Sequence, residues 1–113
     1  MNRPRKLEPT EWHAYFDGVT KLLAGKHAFV VADSPALGDQ EVAEDVPLLG
    51  ISFDPKDNAL EFAFKGLDHL VYNPKEIYVE EVGLGLQAVE VVDQEGVGQI
   101  ATFKEPLALP GPV

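Results

Sequence analysis

Three histidines, His13, His27 and His69, are the side chains here that titrate near neutral pH, so acid–base or metal chemistry would start from them. His69 has the most suggestive neighbours. Asp68 precedes it, and Tyr72 and Tyr78 follow at distances that adjacent strands can bring together, which makes His69, Tyr72 and Tyr78 a candidate ligand-binding set around an oriented imidazole. The plainer reading carries more weight: an Asp-His pair at a strand start, with tyrosines lying across a sheet. His13 follows Trp12 on a predicted helix and lies off its apolar face, whereas His27 begins a strand and has no partner nearby in sequence. No two histidines have the i, i+4 spacing of a helical zinc site. No metal site is expected.

Paired carboxylates are the other raw material for catalysis. Asp54, Asp57 and Asp68 could divide acid and base roles, as in glycoside hydrolysis, but Asp54 and Asp57 are already explained as turn residues. Four carboxylates fall between Asp39 and Asp45, without the alternating Asp and central Gly of a calcium loop. Charge protecting an edge strand explains them better. There is no Gly-x-Ser-x-Gly elbow, and Gly83, Gly85, Gly96 and Gly98 do not complete a dinucleotide fingerprint. The absence of cysteine excludes disulfides and thiol chemistry. No catalytic residue and no cofactor is assigned.

These residues must be positioned by a chain of 113 residues, one domain by length. Residues 1–8 read as a flexible basic arm, 9–105 as the α+β domain and 106–113 as a proline-rich tail. Trp12, Phe16, Val19, Leu22 and Leu23 form one stripe of a helix, with Thr10 as N-cap, Gly25 as stop and Gly18 as a weak point that admits a close neighbour. The stretch Leu48–Phe64 is the clearest element. Leu49, Ile51 and Phe53 alternate before a turn at 55–58, and Leu60, Phe62 and Phe64 alternate after it. That pattern predicts the pairs Phe53 with Leu60, Ile51 with Phe62 and Leu49 with Phe64, with Asn58 in the left-handed conformation. Its other face, Gly50, Ser52, Glu61 and Ala63, is small and partly polar, and is the side to search for a partner or ligand.

Further strands are predicted at 27–33, 69–72, 76–80, 86–92 and 97–104. The last two form a hairpin in which either Asp93 meets Val97 or Val91 meets Ile100. The fold expected is α+β: an N-terminal helix packed on a strongly bent antiparallel sheet of about six strands, or a half-open barrel.

The chain resembles a small family of uncharacterised bacterial proteins, a domain of unknown function of about this length. The likeness rests on Glu11-Trp12-x-x-Tyr15-Phe16, on Gly50-Ile51-x-Phe53-Asp54-Pro55-Lys56-x-Asn58 and on Asp68-His69-Leu70 leading to Pro74-x-Glu76-Ile77-Tyr78-Val79, and covers residues 8–105. It implies a small bacterial domain, and brings no activity, cofactor or site residue with it.

Charge narrows the partners. Residues 7–113 carry six basic and nineteen acidic side chains. Such a body repels phosphate backbones and anionic membranes, so nucleic acid and membrane are not expected partners. With no apolar run of spanning length and no apolar segment after the basic start, the sequence reads as cytoplasmic. Two function classes follow. The favoured one is a non-enzymatic protein-interaction or self-associating module; the alternative is a small-molecule binder or weakly marked enzyme with its pocket near His69, Tyr72 and Tyr78.

Overall fold

The computed structural model describes residues 4–23, 26–34, 38–83 and 85–108. In chain order the elements are β1 (Pro4–Leu7), a 3₁₀ turn (Pro9–Glu11), α1 (Trp12–Leu23), β2 (His27–Ser34), β3 (Gly38–Asp54), β4 (Ala59–Phe64), β5 (Leu67–Tyr72), β6 (Pro74–Val82), β7 (Gly85–Asp93) and β8 (Gly98–Ala108). The strands make one eight-stranded antiparallel sheet in the order β1-β6-β7-β8-β2-β3-β4-β5, with α1 packed against it and no closure between the end strands. The α+β arrangement expected from the sequence, a helix packed on an antiparallel sheet, is present, with eight strands rather than about six and no closed barrel.

The β3–β4 hairpin shows how pattern becomes register. Phe53 pairs with Leu60 and Ile51 with Phe62, and Asn58 turns the chain at φ 50°. Asp54 Oδ1 accepts the backbone N–H groups of Lys56 and Asp57, at 2.9 and 3.4 Å. One pair differs from expectation. A bulge between Leu48 and Gly50 puts Leu48, fully buried, opposite Phe64, and turns Leu49 outward to 54% exposure. An inserted residue reverses the alternation beyond it, so simple counting chose the wrong leucine. In the second hairpin Val92 pairs with Gly98, and the Asp93 N–H donates to the Val97 carbonyl at 3.0 Å, which is the Asp93–Val97 register.

The 17-residue β3 serves two neighbours, β2 in its first half and β4 in its second. The acidic stretch 39–45 lies in that first half. Where the second half leaves β2, α1 covers the open edge. Thr20 Oγ1 donates to the Ile51 carbonyl at 2.6 Å and accepts the Ile51 N–H at 2.9 Å. His13 Nδ1 reaches the Phe53 carbonyl at 3.2 Å. The buried stripe of α1, Trp12, Phe16, Val19 and Leu23, faces a core shared with Leu7, Ile51, Phe62, Ile77 and Phe103.

Three terminal expectations change. The helix is entered through Glu8, whose N–H donates to Glu11 Oε2 at 3.0 Å, and through Pro9, so Thr10 sits inside the 3₁₀ turn rather than capping. Gly25 lies outside the described residues, as do residues 1–3 and 109–113 with Pro110 and Pro112. Within the expected flexible arm, Pro4–Leu7 is a strand paired with β6, and Leu7 is fully buried. Within the expected tail, β8 continues to Ala108 and buries Leu107.

Gly18 is exposed in mid-helix, and among the described residues no atom beyond its own stretch of helix lies within 4 Å of the position a Cβ would take, so it makes no close approach to a neighbouring element. Gly18→Ala should therefore stabilise the protein by about 1 kcal/mol, the helix-propensity difference, seen as a higher urea midpoint with an unchanged slope.

Candidate functional site

Each histidine has a bonding partner. His13 bridges the Phe53 carbonyl and Asp17 Oδ2, the latter at 3.3 Å. His27 Nδ1 lies 2.9 Å from Asp45 Oδ1 and 3.1 Å from the Asp45 carbonyl, while Lys104 Nζ approaches the same carboxylate at 3.6 Å. The bond from His27 and the charge of Lys104 hold the Asp45 carboxyl below the ordinary carboxylate range. This pair escaped sequence reasoning because eighteen residues separate its members and only the β2–β3 pairing joins them. His69 Nε2 bonds Gln99 Oε1 at 2.9 Å, and its ring lies 6.3 Å from that of Phe62. No group of three His, Cys, Asp or Glu among the described residues is arranged to hold a metal.

The three residues singled out near Asp68 are not brought together. His69 and Tyr72 lie on the same strand at odd spacing, so they point to opposite faces: His69 toward Gln99 on β8, Tyr72 outward at 59% exposure. Tyr78 is on β6, where its hydroxyl donates to Glu76 Oε2 at 3.0 Å and Lys6 Nζ meets the same carboxylate at 3.2 Å. The bond to Glu76 raises the Tyr78 hydroxyl above its usual range, and Lys6 and Tyr78 lower Glu76. This cluster ties β1 to β6. Arg5 strengthens the attachment through Glu81 at 3.1 Å and lies over the Tyr15 ring, 5.8 Å from its centre. Burial, followed by the charge of Glu81, pushes the Tyr15 hydroxyl far up.

A different surface emerges at the end of the sheet. Of the four large hydrophobic side chains exposed among the described residues, three are on β5: Leu67 (45%), Leu70 (41%) and Tyr72 (59%). Among the described residues, the edge of β5 away from β4 has no strand beside it. Because Ile51 turns its N–H and carbonyl toward Thr20, Phe62 must turn its own toward His69. By alternation, Leu67, His69 and Val71 bond to β4, and Asp68, Leu70 and Tyr72 present their backbone groups outward. The Asn73 N–H, donating to the Asn58 carbonyl at 2.8 Å, continues the same phase. None of the outward groups has a backbone partner among the described residues.

Two clefts flank this edge, both including Leu70 and Tyr72. One, about 320 Å³, is bounded by the turn and outer face of the β3–β4 hairpin and contains Asp54, Asp57 and Glu61. The other, about 350 Å³, lies toward the β7–β8 turn and contains Asp93, Glu95 and Gln99. Ser52 and Glu61 of the small, polar face noted in the sequence line the first of them. Asp68 was legible as a neighbour of His69, but the edge position of β5 was not, because it depends on the order of all eight strands.

The profile described as "Family of unknown function (DUF5335)" matches residues 3–112. A protein of Aquifex aeolicus described as uncharacterised is 43% identical over 107 residues, covering 94% of this chain and 96% of that one. No solved structure matches.

Proposed function

The chain belongs to the family of unknown function DUF5335, a bacterial relative included, and on that premise we propose that it works by binding another protein, without catalysis, at the free edge of β5. One observation carries this reading: among the described residues, β5 is the edge left uncovered in a sheet whose other edges are guarded. Exposed backbone edges invite pairing, and proteins block them with charge, proline, bulges or a covering helix. β1 carries Pro4, Arg5 and Lys6. The second half of β3 is covered by Thr20 and His13 of α1, and its first half exposes Glu44 and Asp45. Among the described residues β5 has no proline, no Lys, no bulge and no covering helix; beside the single charge of Asp68 it presents Leu70 and Tyr72. An unguarded edge with apolar side chains suits strand addition by an extended segment.

The histidines support binding over catalysis, each being engaged in bonds that join elements of the fold. The small-molecule alternative asked for His69, Tyr72 and Tyr78 around one pocket, an arrangement that the opposite orientations of His69 and Tyr72 do not favour.

A photo-crosslinking side chain placed at position 72, in cells expressing the protein, should yield protein adducts that the same group at position 49 does not. Leu49 is the control because it is equally exposed but lies off β5. Leu70→Pro removes an outward N–H without touching the β4 ladder, and should abolish the adducts. Equal adducts from both positions, or adducts that survive Leu70→Pro, would refute edge binding.

A further inference from the structure

Resting on this edge-binding function, we propose that the occupant of β5 is a basic extended segment, with Lys or Arg alternating with apolar residues, and not a second copy of the chain. The outward backbone groups of Asp68, Leu70 and Tyr72 set the geometry. A strand added there sends successive side chains to opposite faces of the sheet. On the outer face they pass Tyr72, Leu70, Asp68 and Glu61; on the other they enter the cleft toward Asp93 and Glu95. Both directions end in carboxylates.

The charges on the two sides are of one sign. Asp54, Asp57 and Glu61 lie on one side and Asp93 and Glu95 on the other, and no Lys or Arg lines either cleft among the described residues. Glu61, Asp57 and Glu95 have no ion-pair partner among the described residues. Asp54 and Asp93 each use Oδ1 to accept turn N–H groups, and neither has an ion-pair partner among the described residues. The charge on the edge itself, Asp68, is also negative. Where the other edges are closed by proline, charge or the covering helix, this one repels acidic strands and attracts basic ones. Tyr72 offers an exposed ring face between the clefts, on which an ammonium or guanidinium can rest.

Charge also argues against self-pairing. A second copy would bring its own Asp68 and the same acidic surroundings to this edge, in a protein of net charge −10. A basic partner meets the opposite situation.

The test uses the full chain and short synthetic peptides, observed through backbone amide resonances. A peptide alternating lysine and valine should shift the amides of Asp68, Leu70 and Tyr72, with affinity that falls as salt rises. Its glutamate–valine counterpart should not bind. A lysine–proline peptide of equal charge, which lacks N–H donors along its length, should bind at least about tenfold more weakly, since main-chain bonds supply much of the affinity in strand addition. Glu61→Lys, at a half-exposed position, should weaken the lysine–valine peptide about threefold to tenfold while leaving the spectrum of the free protein folded.

Equal binding of the acidic and basic peptides at β5 would overturn the charge inference and leave the edge-binding function standing. Equal binding of the lysine–proline peptide would show simple charge attraction and overturn strand addition. Shifts at β5 that appear on concentrating the protein alone, with a sedimenting dimer, would replace the basic partner with a second copy. Failure of every peptide to move any β5 amide would overturn this inference, while the crosslinking comparison decides the edge-binding function separately.

Discussion

Phe62→Ala is expected to destabilise the protein by about 3–5 kcal/mol, the range for removing a fully enclosed phenylalanine. Phe62 has no solvent exposure and sits in the middle strand of β3-β4-β5, between Ile51 on one side and His69 on the other. Truncation removes the ring from the core and also the surface against which the His69 imidazole lies. The site cannot collapse easily, because β4 is held by ladders on both sides. Equilibrium denaturation in urea, with the slope compared between variants, measures the loss directly. A change below about 0.5 kcal/mol, the level of an unremarkable surface substitution, would mean that the hairpin buries its other face. Leu49→Ala is the matched control. It should fall within that surface range, because the bulge places Leu49 outside.

Leu7→Ala should cost about 2–5 kcal/mol, the span for a buried leucine. This is the stronger test of the N-terminal strand. Leu7 is fully buried, pairs with Ile77 and offers its carbonyl to the indole N–H of Trp12 at 3.4 Å. Trp12 is the one tryptophan in the sequence and is 4% exposed, so its fluorescence reports on the same contact. The destabilised variant should show red-shifted indole emission before the main unfolding transition, as β1 leaves β6. Full stability together with unchanged emission would establish that residues 4–7 contribute nothing to the core. Arg5 and Lys6 cannot replace what Leu7 supplies, since their ion pairs with Glu81 and Glu76 are partly exposed and screened.

What could be read from the sequence was local. Phe53 with Leu60, Ile51 with Phe62, and the left-handed Asn58 all follow from alternation and turn chemistry within a span of twenty residues. The register at Asp93 and Val97 follows in the same way, with Asp93 accepting the N–H groups of Glu95 and Val97. What failed was either irregular or distant. A bulge left no mark that separates Leu48 from Leu49. β1 is four residues long, begins with proline and has its partner some seventy residues away, so no periodicity could reveal it. The histidines were visible as residue types, but the company they keep is set by strand pairing: Asp45 for His27 and Gln99 for His69. The β5 surface is the extreme case. Leu67, Leu70 and Tyr72 look like ordinary strand residues, and only the order of the whole sheet makes them an edge.

The pairing of β1 with β6 also sets a timetable for the ribosome. Lys6 waits for Tyr78, a delay of about 4–14 s at translation rates of roughly 5–20 residues per second. Throughout that interval the earlier strand is an orphan, and any neighbouring nascent chain could capture it. Pro4, Arg5 and Lys6 then act as a temporary safeguard, keeping the segment poorly suited to foreign ladders until Glu76 and Glu81 emerge to claim its charges. Replacing Arg5 and Lys6 with threonine and valine would raise the strand propensity of the segment, remove its ion pairs with Glu81 and Glu76, and make it more hazardous during synthesis.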